Sequence, residues 1–306
     1  MDKRLIYLIG ILLTIVVGTY FSWVLCCPSV GAEKVIVPDA SESTVTKVYK
    51  SPTLYPFSIK DNEGSFSAMV NDNFNFEDSN LNFLTPVTPS LDLELEKLKN
   101  YLNSNDKKAI AITGYYTGEE KNNSAFPNLG LARANSVKNY FTIKGIPSKV
   151  INTYGELKKD MIRDSLKVYH GPLSFAILKL EDDTQNVEQL GAHIKEKPIV
   201  LHFKSGQATI DLTPEERQEV ADISKYLDKV DGAMCIITGH TDKTGNAANN
   251  IVLGQNRADF VKQYLINNAI PAAKIIATSK GQKEPIADNK TVAGRAKNRR
   301  TVITVK

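Results

Sequence analysis

Histidine is scarce in this sequence. Four stand in 306 residues, His170, His193, His202 and His240, and none belongs to a His-Glu-x-x-His run or another metal-ligand spacing. No glycine-rich phosphate loop and no Gly-x-Gly-x-x-Gly run occurs, so no nucleotide cofactor has a motif behind it. His240 follows an apolar run, but no nucleophile stands at a recognisable spacing from it and it reads as structural. No catalytic residue, metal site or cofactor is therefore expected, and an enzyme is the weakest functional reading. Cysteine is equally sparse. Cys26, Cys27 and Cys235 do not make a disulfide framework and are expected to be free. Basic residues cluster only from Arg295 to Arg300 in a chain of net charge +4, which gives nucleic-acid binding little support.

One long apolar run is present. Residues 5–27 carry no charge and follow Lys3 and Arg4, a run longer than the about 20 residues that a bilayer requires. The expectation is an uncleaved anchor with its basic end in the cytoplasm and the remainder exported, favoured over a cleaved signal peptide or a lipoprotein. Gly10, Thr14 and Gly18 form a small-residue stripe along it, and no carboxylate interrupts it, which argues against an ion-driven stator. Pro28, Pro38, Pro52 and Pro56 then mark residues 28–56 as an extended spacer.

Further on, Met234-Cys235-Ile236-Ile237 reads as a buried strand ending at Gly239, and Asn250 to Asn268 as a helix with Leu253, Arg257, Val261 and Leu265 at four-residue steps. At about 100° per residue, Asn250, Leu253 and Arg257 fall in one sector of that helix. The turn carrying Asp242 leaves the strand beside the helix start. A carboxylate, an amide and a guanidinium thus converge, a set suited to a zwitterion.

The order Gly-His-Thr-Asp (239 to 242), Gly245, Asn250, Leu253, Arg257-Ala258, Gly281, Pro285, Asn289, Gly294-Arg295 and Asn298-Arg299-Arg300 resembles the OmpA-like C-terminal domain, over roughly residues 198–306. That resemblance implies non-covalent peptidoglycan binding. Asp242 would take the amino group of stem-peptide diaminopimelate and Arg257 its carboxylate, with Thr241, Asn250 and Leu253 in the same groove. Gly254 departs from the serine usual after the leucine, at up to about 1 kcal/mol of helix propensity.

The pattern occurs twice. Ile110-Ala111-Ile112-Thr113-Gly114 aligns with Cys235 to Gly239 at an offset of 125, and Leu129-Gly130-x-x-Arg133-Ala134 with Leu253 to Ala258 at 124. Thr88-Pro89 and Thr213-Pro214 each open an amphipathic stripe, with Glu216 adding a capping-box acid. The first copy has Thr117 where the second has Asp242, and Phe126 where it has Asn250. It also lacks the Asn-Arg-Arg run. It reads as a degenerate domain, its Arg133 a surface or salt-bridge arginine.

The expected organisation is a stub and anchor at 1–27, a linker at 28–56, a degenerate OmpA-like domain at 57–182 and a peptidoglycan-binding one at 183–306. Each domain would be an α+β, βαβ-type two-layer sandwich. The leading functional expectation is a non-catalytic, membrane-anchored protein of the bacterial envelope, its C-terminal part in the periplasm and its anchor in the inner rather than the outer membrane. The alternative is an assembly module that binds protein partners of an envelope complex. A homodimer is left open.

Overall fold

The computed structural model describes residues 51–202 and 210–306, which belong to one compact unit running from Lys50 to Lys306. The expected anchor at 5–27, Cys26 and Cys27, and the spacer up to residue 50 lie outside the described residues. Among the described residues no helix is long and apolar enough to cross a membrane. Residues 51–56 lie against the body: the Thr53 amide donates to Ile162 O at 2.9 Å, and Leu54 bridges to His170.

The chain opens with an antiparallel hairpin, β1 (Phe57–Lys60) and β2 (Ser67–Val70), and a short strand β3 (Phe76–Glu77) that pairs with β6 (Val168–Tyr169). Helix α1 (Pro89–Asn103) forms where leucines recur at three- and four-residue steps, and Leu91, Leu95, Leu98 and Leu102 all face the core. Thr88 occupies the N-cap position but makes no capping hydrogen bond. Its hydroxyl donates instead to Asp72 Oδ2 at 2.7 Å, a tertiary contact that outcompetes the local one. Strand β4 (Lys108–Tyr116), helix α2 (Leu129–Ile143) and strand β5 (Ile151–Leu157) form a parallel crossover, and β7 (Leu173–Lys179) returns antiparallel on the other side of β4.

The second half contains a helix and a parallel crossover of the same kind. After α3 (Thr184–Glu196) and β8 (Ile199–His202), helix α4 (Pro214–Lys229) starts in a complete capping box in which Thr213 and Glu216 exchange hydrogen bonds. Strand β9 (Cys235–His240), helix α5 (Ala247–Asn267) and strand β10 (Ile275–Gly281) form the second parallel crossover. After α6 (Val292–Asn298), strand β11 (Arg300–Val305) runs antiparallel to both β9 and β8, giving the order β10-β9-β11-β8. Helix α5 begins three residues before its expected start because the Asn246 side chain accepts from the Ala248 amide. Helix α3 has no counterpart in the sequence reading. It fills what looked like a boundary and puts Val187 and Ile194 into the second core.

Each crossover depends on a glycine pair. A Cβ on Gly114 would lie 2.0 Å from the carbonyl oxygen of Gly130, and one on Gly239 1.9 Å from that of Gly254. Strand and helix backbones therefore touch at the same point in both halves. Gly254, which costs helix propensity, is the residue this approach needs: a Cβ there would also fall 2.2 Å from Ser279 Oγ.

The two halves are joined by a packed seam. Ala125, Phe126 and Ala132 of the first half belong to the core of the second, together with Leu227, Val261 and Leu265. Beside them the buried Lys138 ammonium pairs with Asp228 and donates to Asn135 Oδ1 at 2.8 Å. The amide of Ala125 donates to Asn268 Oδ1 at 2.7 Å, and Asn139 Nδ2 to Ala269 O at 2.8 Å.

Two stability outcomes follow from these contacts. Both crossover helices close with a left-handed residue, Gly145 (φ 96°) in the first half and Ala269 (φ 64°) in the second. Ala269→Gly is expected to stabilise the fold by up to about 1 kcal/mol, read as a higher thermal midpoint. Lys138→Met strands Asp228 at the seam and is expected to cost about 3 to 5 kcal/mol in urea unfolding, with Asp228→Leu in the same chain recovering most of it.

Candidate functional site

The strand β9 ends where the sequence places its acid. The Thr241 amide donates to Gly281 O at 2.9 Å, tying the strand end to the end of β10, and its hydroxyl donates to Asp242 O at 3.0 Å. Thr241 is thereby buried as a hinge post, and the Asp242 side chain leaves the sheet at the mouth of the turn. Asp242 Oδ1 accepts from the Thr244 amide at 2.8 Å, and Oδ2 accepts from Arg299 Nη1 at 2.8 Å. Burial pushes its pKa up, but the hydrogen bonds from Arg299 and Thr244 outweigh it, and the carboxyl is held below its ordinary range. Asp242 is ionised at neutral pH.

Asn250 sits on the first turns of α5 with its side chain turned inward. Its amide nitrogen donates to Thr244 O at 3.0 Å, Gln282 Oε1 at 2.7 Å and Asp242 O at 3.3 Å, so it fixes the turn that presents the acid. Leu253 is 44% exposed on the rim. Arg257, one turn on, is half-buried and donates Nη1 to the carbonyl of His240 at 3.2 Å. Desolvation and the neighbouring Arg299 charge lower its pKa, while the Asp242 charge raises it. Asp242 and Arg257 thus feel each other's charge, yet the ion pair at Asp242 belongs to Arg299, and Arg257 has no carboxylate partner among the described residues. The site holds two guanidinium groups around one carboxylate.

Sequence reasoning gave Arg295, Arg299 and Arg300 a loop-holding role but did not foresee the Arg299–Asp242 pair or the parts of Gln282 and Asn298. Buried Asn298 accepts from the amides of Ile286 and Ala287 at 2.8 and 3.0 Å and donates to Asn289 Oδ1 at 3.0 Å, while Asn289 Oδ1 also accepts from the Lys243 amide at 3.1 Å. The Asn-Arg-Arg run therefore holds the loop before it and, through Arg299, the acid. Thr301 pairs with Gly239, which sets Arg299 beside Thr241 and within reach of Asp242. His240 is 3% exposed, and its Nδ1 has no hydrogen-bond partner among the described residues. Burial first, and the Arg300 charge second, push its pKa down to about 4, so it is neutral and structural at pH 7. Cys235 is a free, buried thiol whose pKa burial raises to about 12. No cluster of metal-ligating side chains occurs among the described residues.

The family model described as the OmpA family matches residues 74–167 and 202–299, together more than half of the chain. This chain belongs to the OmpA family. It is 39% identical over 94 residues to outer membrane protein A of Bordetella avium, a match covering 31% of this chain and 48% of that protein. It is 37% identical over 112 residues to the peptidoglycan-associated lipoprotein of Haemophilus influenzae, covering 37% of this chain and 72% of that one. The chain thus spans about half the length of the Bordetella protein. Among solved structures, the peptidoglycan-associated lipoprotein from Burkholderia pseudomallei is 26% identical, with 35% of this chain and 89% of that one covered at a TM-score of 0.30.

The first OmpA segment shows what became of the equivalent positions. Arg133 donates Nη1 to Tyr115 O at 2.9 Å, as Arg257 does to His240 O one repeat later. Arg133 is fully buried, which removes the surface option, and it pairs with an equally buried Glu120. Thr117 stands at the Asp242 position with its amide donating to Glu120 Oε2 at 2.9 Å, and Phe126, at the Asn250 position, is packed into the seam.

The burial of His240 carries a pH dependence. Its pKa is lowered in the folded state, so the unfolded chain takes up a proton first as pH falls. Stability is therefore full above about pH 6.5 and declines as pH falls from there toward about 4, by about 3 kcal/mol at most. Urea midpoints of wild type and His240→Gln across that window check this, with the variant losing the decline.

Proposed function

We propose that this chain is a non-catalytic peptidoglycan-binding protein of the bacterial cell envelope, and that the Asp242–Arg257 site takes the zwitterionic end of diaminopimelate in the stem peptide. The observation that carries the reading is Arg257. It is a half-buried guanidinium, positioned by the His240 carbonyl and lacking a carboxylate partner among the described residues, beside an ionised acid. A ligand carboxylate supplies the missing partner in a charge-assisted, bidentate geometry. The ligand ammonium shares Asp242 with Arg299 or displaces it. A lysine side chain, which has an ammonium and no adjacent carboxylate, would satisfy only half of this site. Membership of the OmpA family, and relatives named for their association with peptidoglycan, support the reading. The membrane-anchored, periplasmic topology rests on residues 5–27 of the sequence.

The first segment is read as a degenerate copy without wall chemistry. Thr117 offers no charge to an ammonium, and Phe126 is committed to the seam. The test is co-sedimentation of residues 50–306 with diaminopimelate-containing sacculi. Wild type is expected to pellet. Asp242→Ala or Arg257→Ala should lose at least about tenfold in affinity, the cost of one charge-assisted contact of about 1.5 to 3 kcal/mol, while keeping its circular dichroism. Wild type and variants alike staying in solution would move the chain to the assembly-module reading, in which protein partners of an envelope complex are the ligands, and pelleting unchanged by either substitution would put wall binding outside this site.

A further inference from the structure

The first OmpA segment contains a carboxylate cradle that no wall-binding role uses. Glu120 fills it. Its Oε1 accepts from Arg133 Nη2 and from the Ser79 amide at 3.2 Å, and its Oε2 accepts from Arg133 Nη1 at 3.3 Å and from the Thr117 amide at 2.9 Å. Both charged side chains have no exposure. This is a two-toothed guanidinium clasp with two backbone N–H groups, the donor set that recognises a planar carboxylate.

The cation of the cradle does not depend on Glu120 for its position. Arg133 also donates to Tyr115 O at 2.9 Å, Asn80 O at 3.0 Å and Glu77 O at 3.4 Å, and its guanidinium lies 5.1 and 5.5 Å from the ring centroids of Phe76 and Tyr169. Three carbonyls and two rings hold the cation. Glu120, by contrast, comes from an irregular loop between β4 and α2. Arg133 and Arg257 share the same anchoring carbonyl position in their crossovers, so Glu120 sits where an external carboxylate would approach Arg257.

We propose that the first segment retains a carboxylate-binding site whose occupant is the chain's own Glu120, a tethered ligand that closes the site to external carboxylates. Its ligand class is a small monocarboxylate of acetate or propionate size, since the space vacated by the Glu120 side chain is what such an ion would fill. A tethered occupant has an effective concentration that a free ion at millimolar level does not match, so the wild-type site stays closed.

The test uses Glu120→Ala in residues 50–306, with thermal unfolding in sodium acetate against sodium chloride at equal ionic strength. The variant is expected to unfold about 10 °C below wild type, because a buried guanidinium has lost its partner. Acetate at about ten times its dissociation constant should restore about 3 to 5 °C, saturably, whereas wild type should respond alike to both salts. Glu120→Gln, whose amide still fills the space, should fall in midpoint and gain nothing from acetate. Where Glu120→Ala does not fold in chloride, its soluble yield on refolding in acetate against chloride gives the same readout. Equal behaviour in both salts overturns the proposal. Sacculus pelleting by Glu120→Ala should match wild type and still require Asp242. That readout tests the wall-binding reading alone, so the two can fail independently.

Discussion

The contact on which both halves depend is backbone against backbone, where a glycine of a central strand meets a glycine of the following helix. With no Cβ between them, helix and strand approach until carbonyl and Cα nearly touch. The arginine one turn further along the helix is then carried to the carbonyl at the strand end. Any side chain at Gly114, Gly130, Gly239 or Gly254 would push the helix outward and lift that arginine away. The chemistry of the site is thus a consequence of a packing constraint several residues away from it.

From that common frame the halves diverge by the choice of counter-ion. In the second, the acid at the strand end is held by Arg299, and among the described residues the helix arginine has a carbonyl and no carboxylate. In the first, Thr117 stands at the strand end, and a glutamate three residues on pairs with the helix arginine. Among the described residues, one half leaves its helix arginine without a carboxylate and the other pairs it internally.

Much of this was legible in the sequence. The strand and helix periods, the capping box at Thr213 and Glu216, the repeat offset and the convergence of Asp242 and Arg257 on one region all follow from local patterns. The parts that were not legible are tertiary. Arg299 reaches Asp242 through strand register, and Asn250 turns inward because Gln282 and Thr244 O offer it acceptors from another loop. Thr88 forsakes its cap for Asp72, and Glu120 reaches the buried Arg133 only through the fold. Helix α3, Thr184–Glu196, has no counterpart in the sequence reading, which places only a domain boundary there, between residues 182 and 183.

The seam between the halves changes how a pull on this molecule would travel. Two modules joined by a loose tether turn independently and extend one at a time. Here Phe126 lies in the neighbouring core, a buried lysine and aspartate straddle the join, and Asn139 and Asn268 clasp backbone on the opposite side. A load entering near residue 51 and leaving at the Arg257 site would pass through a single solid rather than along a chain of beads. The span between those two points is then set by packed side chains, as the length of a strut is, and not by the slack of a linker.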